Sequence, residues 1–199
     1  MMDYNTLQLT DLSPQEECAL KQYKLATDYK DGQYSCFDLN RELRSGIFVD
    51  ELSSDLKEFA EILDSVFRRC PRLTDECTVY RGTGHGKALP IYSGIGGRFR
   101  SLEFWSTTLF EEQTEKFSKT GPDAAILKLK LPKNMPAYNL ETISRANKSE
   151  GEILLPRGIL WQIGEVKHEK ISPFLISTGV TSLCRATLTA KTWSEFPRT

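Results

Sequence analysis

Apolar side chains recur at helical spacing early in the chain and at alternate positions later. Leu52, Leu56, Phe59, Leu63 and Val66 fall three or four residues apart, the spacing that gathers one apolar face on a helix. Ser53 and Ser54, between Leu52 and Leu56, supply the cap, and Pro71 ends the run. Ser13-Pro14-Gln15-Glu16 has capping-box spacing with proline at the first helical position. That pattern predicts an earlier helix, with Gly32 as its natural stop. A short helix is expected in CFDLNRELR, ending near Gly46. The chain from residue 1 to about 72 therefore reads as helical.

After Pro71 the pattern changes. Leu127-Lys128-Leu129-Lys130-Leu131 alternates as a half-buried strand should. CTVYRG, RSLEFWSTT, AAILKLKL, EILL, ILWQIGEV and FLISTGV are expected as strands, separated by Gly, Pro and Asn. One helix is expected between them, in FEEQTEKFSK, with Phe110, Thr114 and Phe117 on one side. Helices first and strands afterwards predict an α+β fold. The 199 residues show no repeat or linker and fit one domain. Residues 1–72 form its helical part and residues 73–199 its mainly β part.

Overall charge narrows the function classes. A formal net charge of −1 provides no broad electrostatic basis for binding nucleic acid or an anionic membrane. The five cysteines are odd in number, scattered, and without CxxC or Cys/His zinc spacing. They read as reduced, mostly buried thiols in a reducing compartment. The start MMDYNTLQLTDL lacks the basic and apolar regions of a signal peptide. No window approaches the run of about 20 apolar residues that spans a bilayer.

Three short strings carry the candidate chemistry. In Tyr80-Arg81-Gly82 an arginine closes a strand beside a glycine that permits close backbone approach. The planar guanidinium suits bidentate phosphate or ribose contacts, although a surface arginine at a strand end reads the same way. Ser106-Thr107-Thr108 closes a second strand. Its hydroxyls serve equally as β-formers with a helix cap, or with Ser106 turned inward to fix a carboxylate. Glu150-Gly151-Glu152 leads into the apolar Ile153-Leu154-Leu155. In an extended segment the two carboxylates share one face, where they repel. Solvated loop charge is the alternative. The GTGHG that follows Arg81 is not a P-loop, because it lacks the GK[ST] ending.

Taken in order, these strings resemble the arginine–serine–glutamate class of mono-ADP-ribosyltransferases, in particular the clostridial C3-like exoenzymes and binary-toxin enzymatic chains. DLNRELR resembles the family's IN-x-x-LR helix, FWSTT its serine–threonine–serine strand and EGEILLPRG its glutamate segment. The similarity runs from about residue 13 to 166. The Glu-x-Glu pattern is that of arginine-modifying members, whereas the C3-like exoenzymes carry Gln-x-Glu and modify asparagine. Two departures stand out. KTGPD holds Lys119 where the family often has a phosphate-binding arginine, and SRANKS lacks an aromatic that several members turn toward their targets.

The resemblance implies a mixed β-sandwich of two sheets around an NAD cleft, with the N-terminal helices as a cap. It implies NAD as co-substrate, no metal, and a target protein bearing an acceptor arginine. Arg81 and Arg44 then hold pyrophosphate and ribose, with Asn40 in support; Gly82, Thr107 and Lys119 belong to the same cofactor surface. Ser106 orients Glu152, Glu152 stabilises the cationic sugar, and Glu150 prepares the acceptor. An NAD glycohydrolase and a silent protein-binding module are the alternatives. A toxin or effector, secreted or injected without a recognisable signal peptide, fits this reading, as does a cytoplasmic phage enzyme.

Overall fold

Three helices form where the apolar spacing places them: α1 (Pro14–Leu25), α2 (Cys36–Arg44) and α3 (Ser54–Arg69). The computed structural model describes residues 4–25, 34–84, 90–118, 123–143, 151–169 and 180–194. The expected stop at Gly32 lies outside them.

The capping box at α1 is formed. Ser13 Oγ accepts the Glu16 amide at 3.2 Å, and Glu16 Oε2 accepts the Ser13 amide at 2.9 Å. Glu16 also receives Arg69 Nη2 at 2.7 Å and the Ser65 hydroxyl at 3.0 Å, which clamps α1 onto α3. Burial works against the charge of Glu16, but the bonds from Arg69, Ser13 and Ser65 win and hold its pKa at about 2. Leu52, Leu56, Phe59, Leu63 and Val66 are all buried, as their spacing predicts.

Among the described residues eight strands follow: β1 (Cys77–Thr83), β2 (Arg98–Arg100), β3 (Trp105–Thr108), β4 (Asp123–Leu131), β5 (Tyr138–Asn139), β6 (Glu152–Leu155), β7 (Ile159–Glu169) and β8 (Ser182–Trp193). They hydrogen-bond in the order β2-β7-β8-β4-β1-β3-β6-β5. Among the described residues only β4 and β8 run parallel. Trp105 on β3 stacks on Trp161 on β7, with ring centroids 5.0 Å apart, although the two strands stand four places apart in that order. The sheet therefore folds over on itself. The sandwich is the one expected, but its two layers are halves of one continuous hydrogen-bonded order.

Alternation decides which side chain faces which layer. Leu127, Leu129 and Leu131 enter the core between the layers while Lys128 and Lys130 are exposed. Ile153 and Leu155 face that core, and Leu154 faces a second one. There Leu154, Phe104 and Tyr138 meet the apolar faces of α1, α2 and α3. The helices thus cover the outer side of the β3-β6-β5 end.

Three expectations are corrected. RSLEFWSTT is not one strand: β2 pairs with β7, whereas β3 pairs with β1 and β6. Residues 101–104 carry the chain between the layers. β8 was not expected, because its inward positions include Cys184, Ala186 and Ala190, which are small and carry a weak strand signal. FLISTGV lies outside the described residues except for Val180, which is not in a strand. In FEEQTEKFSK a turn of 3-10 helix (Glu111–Gln113) precedes a short α4 (Thr114–Ser118). Thr114 is buried while Phe110 and Phe117 are exposed, because five α-helical residues do not sustain the longer periodicity.

The cysteines are free thiols, with Cys36, Cys70 and Cys184 buried, Cys77 half-buried and Cys18 exposed. Burial pushes Cys36 and Cys70 up to about 12, which keeps both neutral.

Candidate functional site

Arg81, Ser106 and Glu152 stand on three neighbouring strands, β1, β3 and β6. Thr108 pairs with Glu152 and Ser106 with Leu154, so Ser106 and Glu152 are diagonal neighbours on one face. The Ser106 hydroxyl donates to Glu152 Oε1. The Ser106 carbonyl accepts Arg81 Nη1 at 2.8 Å. One residue therefore ties the cation to the carboxylate, through its backbone on one side and its side chain on the other. The guanidinium of Arg81 also lies 5.5 Å over the Trp105 ring, within cation–π range.

A second carboxylate organises the arginines, and sequence reasoning missed it. Glu103, 4% exposed, receives Arg44 Nε at 2.9 Å and Nη2 at 2.7 Å. Its other oxygen accepts the Trp105 indole at 3.1 Å and lies 3.8 Å from Arg81 Nη2. Two guanidiniums from a helix and a strand are thus brought together around one buried charge. The signal was present in RSLEFW, where a lone carboxylate sits inside an apolar run and must find a partner. Glu103→Ala is expected to lower the unfolding free energy by about 2–3 kcal/mol in urea titrations. That is below the 3–5 kcal/mol typical of a fully buried pair, since Arg44 reaches solvent and is partly screened.

Asn40 acts one turn before Arg44. Its Oδ1 accepts the Phe104 amide at 3.2 Å, and its Nδ2 donates to the Tyr23 hydroxyl at 2.8 Å. Tyr23 in turn donates to the Phe104 carbonyl at 3.1 Å. Burial raises the Tyr23 phenol well above its ordinary pKa, so it stays a donor. Both backbone groups of Phe104 are satisfied in this way, directly beside Glu103 and Trp105. Asn40 supports the segment that carries Glu103 and the start of β3.

Thr107 and Gly82 face protein. The Thr107 hydroxyl is buried and donates to the Ile153 carbonyl at 2.6 Å, across its register pair in β6. Close backbone approach at Gly82 does occur, but the approaching group is the first residue of α4. A Cβ placed on Gly82 would lie 2.0 Å from the Thr114 carbonyl oxygen. Thr108 Oγ1 accepts the Phe110 amide at 3.1 Å, the turn-capping role that the plainer reading of the hydroxyl triplet allowed.

Gly151 stands directly before Glu152. Its φ is 60°, in the left-handed region, and a Cβ there would sit 2.7 Å from the Phe110 ring. Gly151 itself is therefore not in an extended conformation, and β6 begins at Glu152. Glu150 and Lys119 lie outside the described residues. Among the described residues no three His, Cys, Asp or Glu side chains are grouped to hold a metal ion. No helix there is long and apolar enough to cross a membrane.

A family model described as "ADP-ribosyltransferase exoenzyme" matches residues 4–191. Among solved structures, the Clostridium limosum C3 exoenzyme is 20% identical with a TM-score of 0.66, covering 94% of this chain and 90% of that one. Exoenzyme S from Pseudomonas aeruginosa, solved with human 14-3-3 protein beta and carba-NAD, is 19% identical with a TM-score of 0.63. That match covers 89% of this chain and 74% of the other. ADP-ribosyltransferase Vis in complex with agmatine is 14% identical, with a TM-score of 0.66 and coverage of 95% and 80%. No curated protein matches the sequence.

Proposed function

The chain belongs to the ADP-ribosyltransferase exoenzyme family, and from that membership we propose that it moves ADP-ribose from NAD to an arginine of a target protein. Nicotinamide is the leaving group. The observation that carries this reading is the double tie of Ser106, to Arg81 through its carbonyl and to Glu152 through its hydroxyl. It supports the reading by joining an arginine on β1 and a carboxylate on β6 through the one residue on β3 that lies between them.

The division of labour follows from charge. Arg44 and Arg81 bring two positive charges against the single negative charge of Glu103, which leaves a net cation to meet the pyrophosphate. Arg44, forked onto Glu103, stays anchored, while the looser Arg81 contact leaves a face for the ligand. Lys119 adds a point charge. Asn40, Thr107 and Gly82 keep this arrangement in place through their protein contacts.

Glu152, fixed by the Ser106 hydroxyl, is the carboxylate this reading assigns to the 2′-hydroxyl of the nicotinamide ribose. As the C–N bond breaks, positive charge develops on the ribose and the fixed carboxylate stabilises it. Glu150 takes the acceptor. An arginine guanidinium has a pKa above about 12 and is a poor nucleophile until a base removes its proton. The agmatine in the Vis structure has the guanidinium this role requires, and the carba-NAD in the exoenzyme S structure is an analogue of the donor. In this reading the protein is a toxin or effector acting on a protein of another cell.

The test uses NAD labelled in its ADP-ribose part, with agmatine and with animal, plant and bacterial lysates as acceptors. ADP-ribosyl-agmatine and labelled protein arginines are the expected products, accompanied by slower release of free ADP-ribose. Label found only as free ADP-ribose would make the protein an NAD glycohydrolase. No NAD turnover at all would leave a protein-binding module.

A further inference from the structure

Glu152 is held twice, by Ser106 at its side chain and by another carboxylate at its backbone. Glu141 lies in the 3-10 turn Leu140–Thr142 that follows β5. Its Oε1 accepts the Glu152 amide at 3.2 Å and Lys24 Nζ at 3.3 Å. Lys24, on α1, also donates to the Leu140 carbonyl at 3.1 Å, and its side chain is only 7% exposed.

The need for this bond comes from the short length of β5. Tyr138 pairs with Leu154 and Asn139 with Ile153, so the next rung would join residue 140 to Glu152. At that point the chain has already turned away into the 3-10 helix. The Glu141 carboxylate takes the place of the missing ladder acceptor. The turn that carries it is itself pinned. Asn139 Oδ1 accepts the Glu141 amide at 3.0 Å, Asn139 Nδ2 donates to the Tyr4 carbonyl at 3.1 Å, and the Thr142 hydroxyl donates to the Asn139 carbonyl at 2.9 Å. On the other side of Glu152 stands Gly151 with its positive φ, a residue of wide conformational freedom. The direction in which β6 begins, and with it the aim of Glu152, depends on a firm hold at the Glu152 amide.

We infer that Glu141 is a positioning residue for Glu152, with Lys24 as the cation that holds its carboxylate in place. This rests on the reading of Glu152 as the carboxylate that meets the cationic ribose. A buried lysine used only to fasten α1 would be a costly choice, since an apolar pair of similar volume does that as well.

Three variants test it: Glu141→Ala removes the acceptor, Glu141→Gln keeps a carbonyl acceptor without the charge, and Lys24→Gln removes the cation. In Glu141→Ala the Glu152 amide should exchange its hydrogen about tenfold faster, while the Leu155 amide keeps its wild-type rate. The kcat for nicotinamide release should fall about tenfold to a hundredfold, with KM for NAD within about threefold. Glu141→Gln should recover most of both losses. Lys24→Gln should show a smaller fall in kcat of the same kind, and it decides the matter if Glu141→Ala does not fold. Unchanged exchange at Glu152, or a loss of turnover that glutamine does not rescue, overturns the assignment. So does a lowered melting temperature with wild-type kcat per folded molecule, the signature of a merely structural contact. Glu152→Gln assayed alongside separates the two readings: retained turnover there removes the catalytic role of Glu152, whereas the exchange rate in Glu141→Ala judges the positioning contact alone.

Discussion

Glu152→Gln is expected to lower ADP-ribose transfer and NAD hydrolysis together by about a hundredfold or more, while KM for NAD stays within about threefold. Glutamine keeps the shape of the side chain and still offers an oxygen to the Ser106 hydroxyl, so the geometry survives and the charge does not. The charge counts most in the transition state. NAD arrives with its positive charge on the nicotinamide ring, and bond cleavage moves positive charge onto the ribose carbon beside the carboxylate. A full charge pair about 4 Å apart is stabilised by about 4 kcal/mol at an effective dielectric constant near 20. That corresponds to a factor of about a thousand, so a hundredfold loss allows for partial charge in a loose transition state. Nicotinamide release and label transfer measured on the same samples decide the outcome. Near wild-type rates in both would remove Glu152 from its role.

Glu150→Gln is expected to divide the two activities. Transfer to agmatine or protein arginine should fall about a hundredfold, while hydrolysis stays within about threefold, because water needs far less help than a protonated guanidinium. The turn at Gly151 suits such a division. With φ at 60°, the residues on its two sides need not point the same way. An equal fall in both activities would assign Glu150 to the NAD site itself. Mapping of the label to asparagine, glutamine or threonine would overturn the arginine reading and leave the fold intact.

Local patterns were legible wherever neighbours along the chain do the work. Helix α3 announces itself because Leu56, Phe59, Leu63 and Val66 bury one face and Cys70-Pro71 ends it. The Leu-Lys alternation of β4 predicts which side chains enter the sandwich, and they do. The capping box at Ser13 and Glu16 is local as well, and it forms. Where strand residues are small the signal fades. β8 runs inside the sheet between β4 and β7, yet its Ala and Lys residues carry little β-preference of their own and interrupt the Thr and Leu that do. RSLEFWSTT shows the opposite failure. Its uniform β-preference conceals a crossing between two layers, which is a property of the whole fold.

The candidate site divides along the same line. Arginine, serine and glutamate at the ends of separate strands, in that order, are enough to show the kind of chemistry, because side-chain type is written in the chain. The chain order does not show that β1, β3 and β6 lie side by side, since strands 25 and 46 residues apart choose partners through the core they share. It does not show that Glu103 collects Arg44 and Arg81, or that the Thr114 backbone closes on Gly82. Nor does it show that Glu141 completes a ladder that β5 is too short to finish. Periodicity, caps and residue chemistry act over a few positions and can be read one residue after another. The partner of a buried charge or an unpaired amide is settled by which distant segments pack together, and that is where this site acquires its geometry.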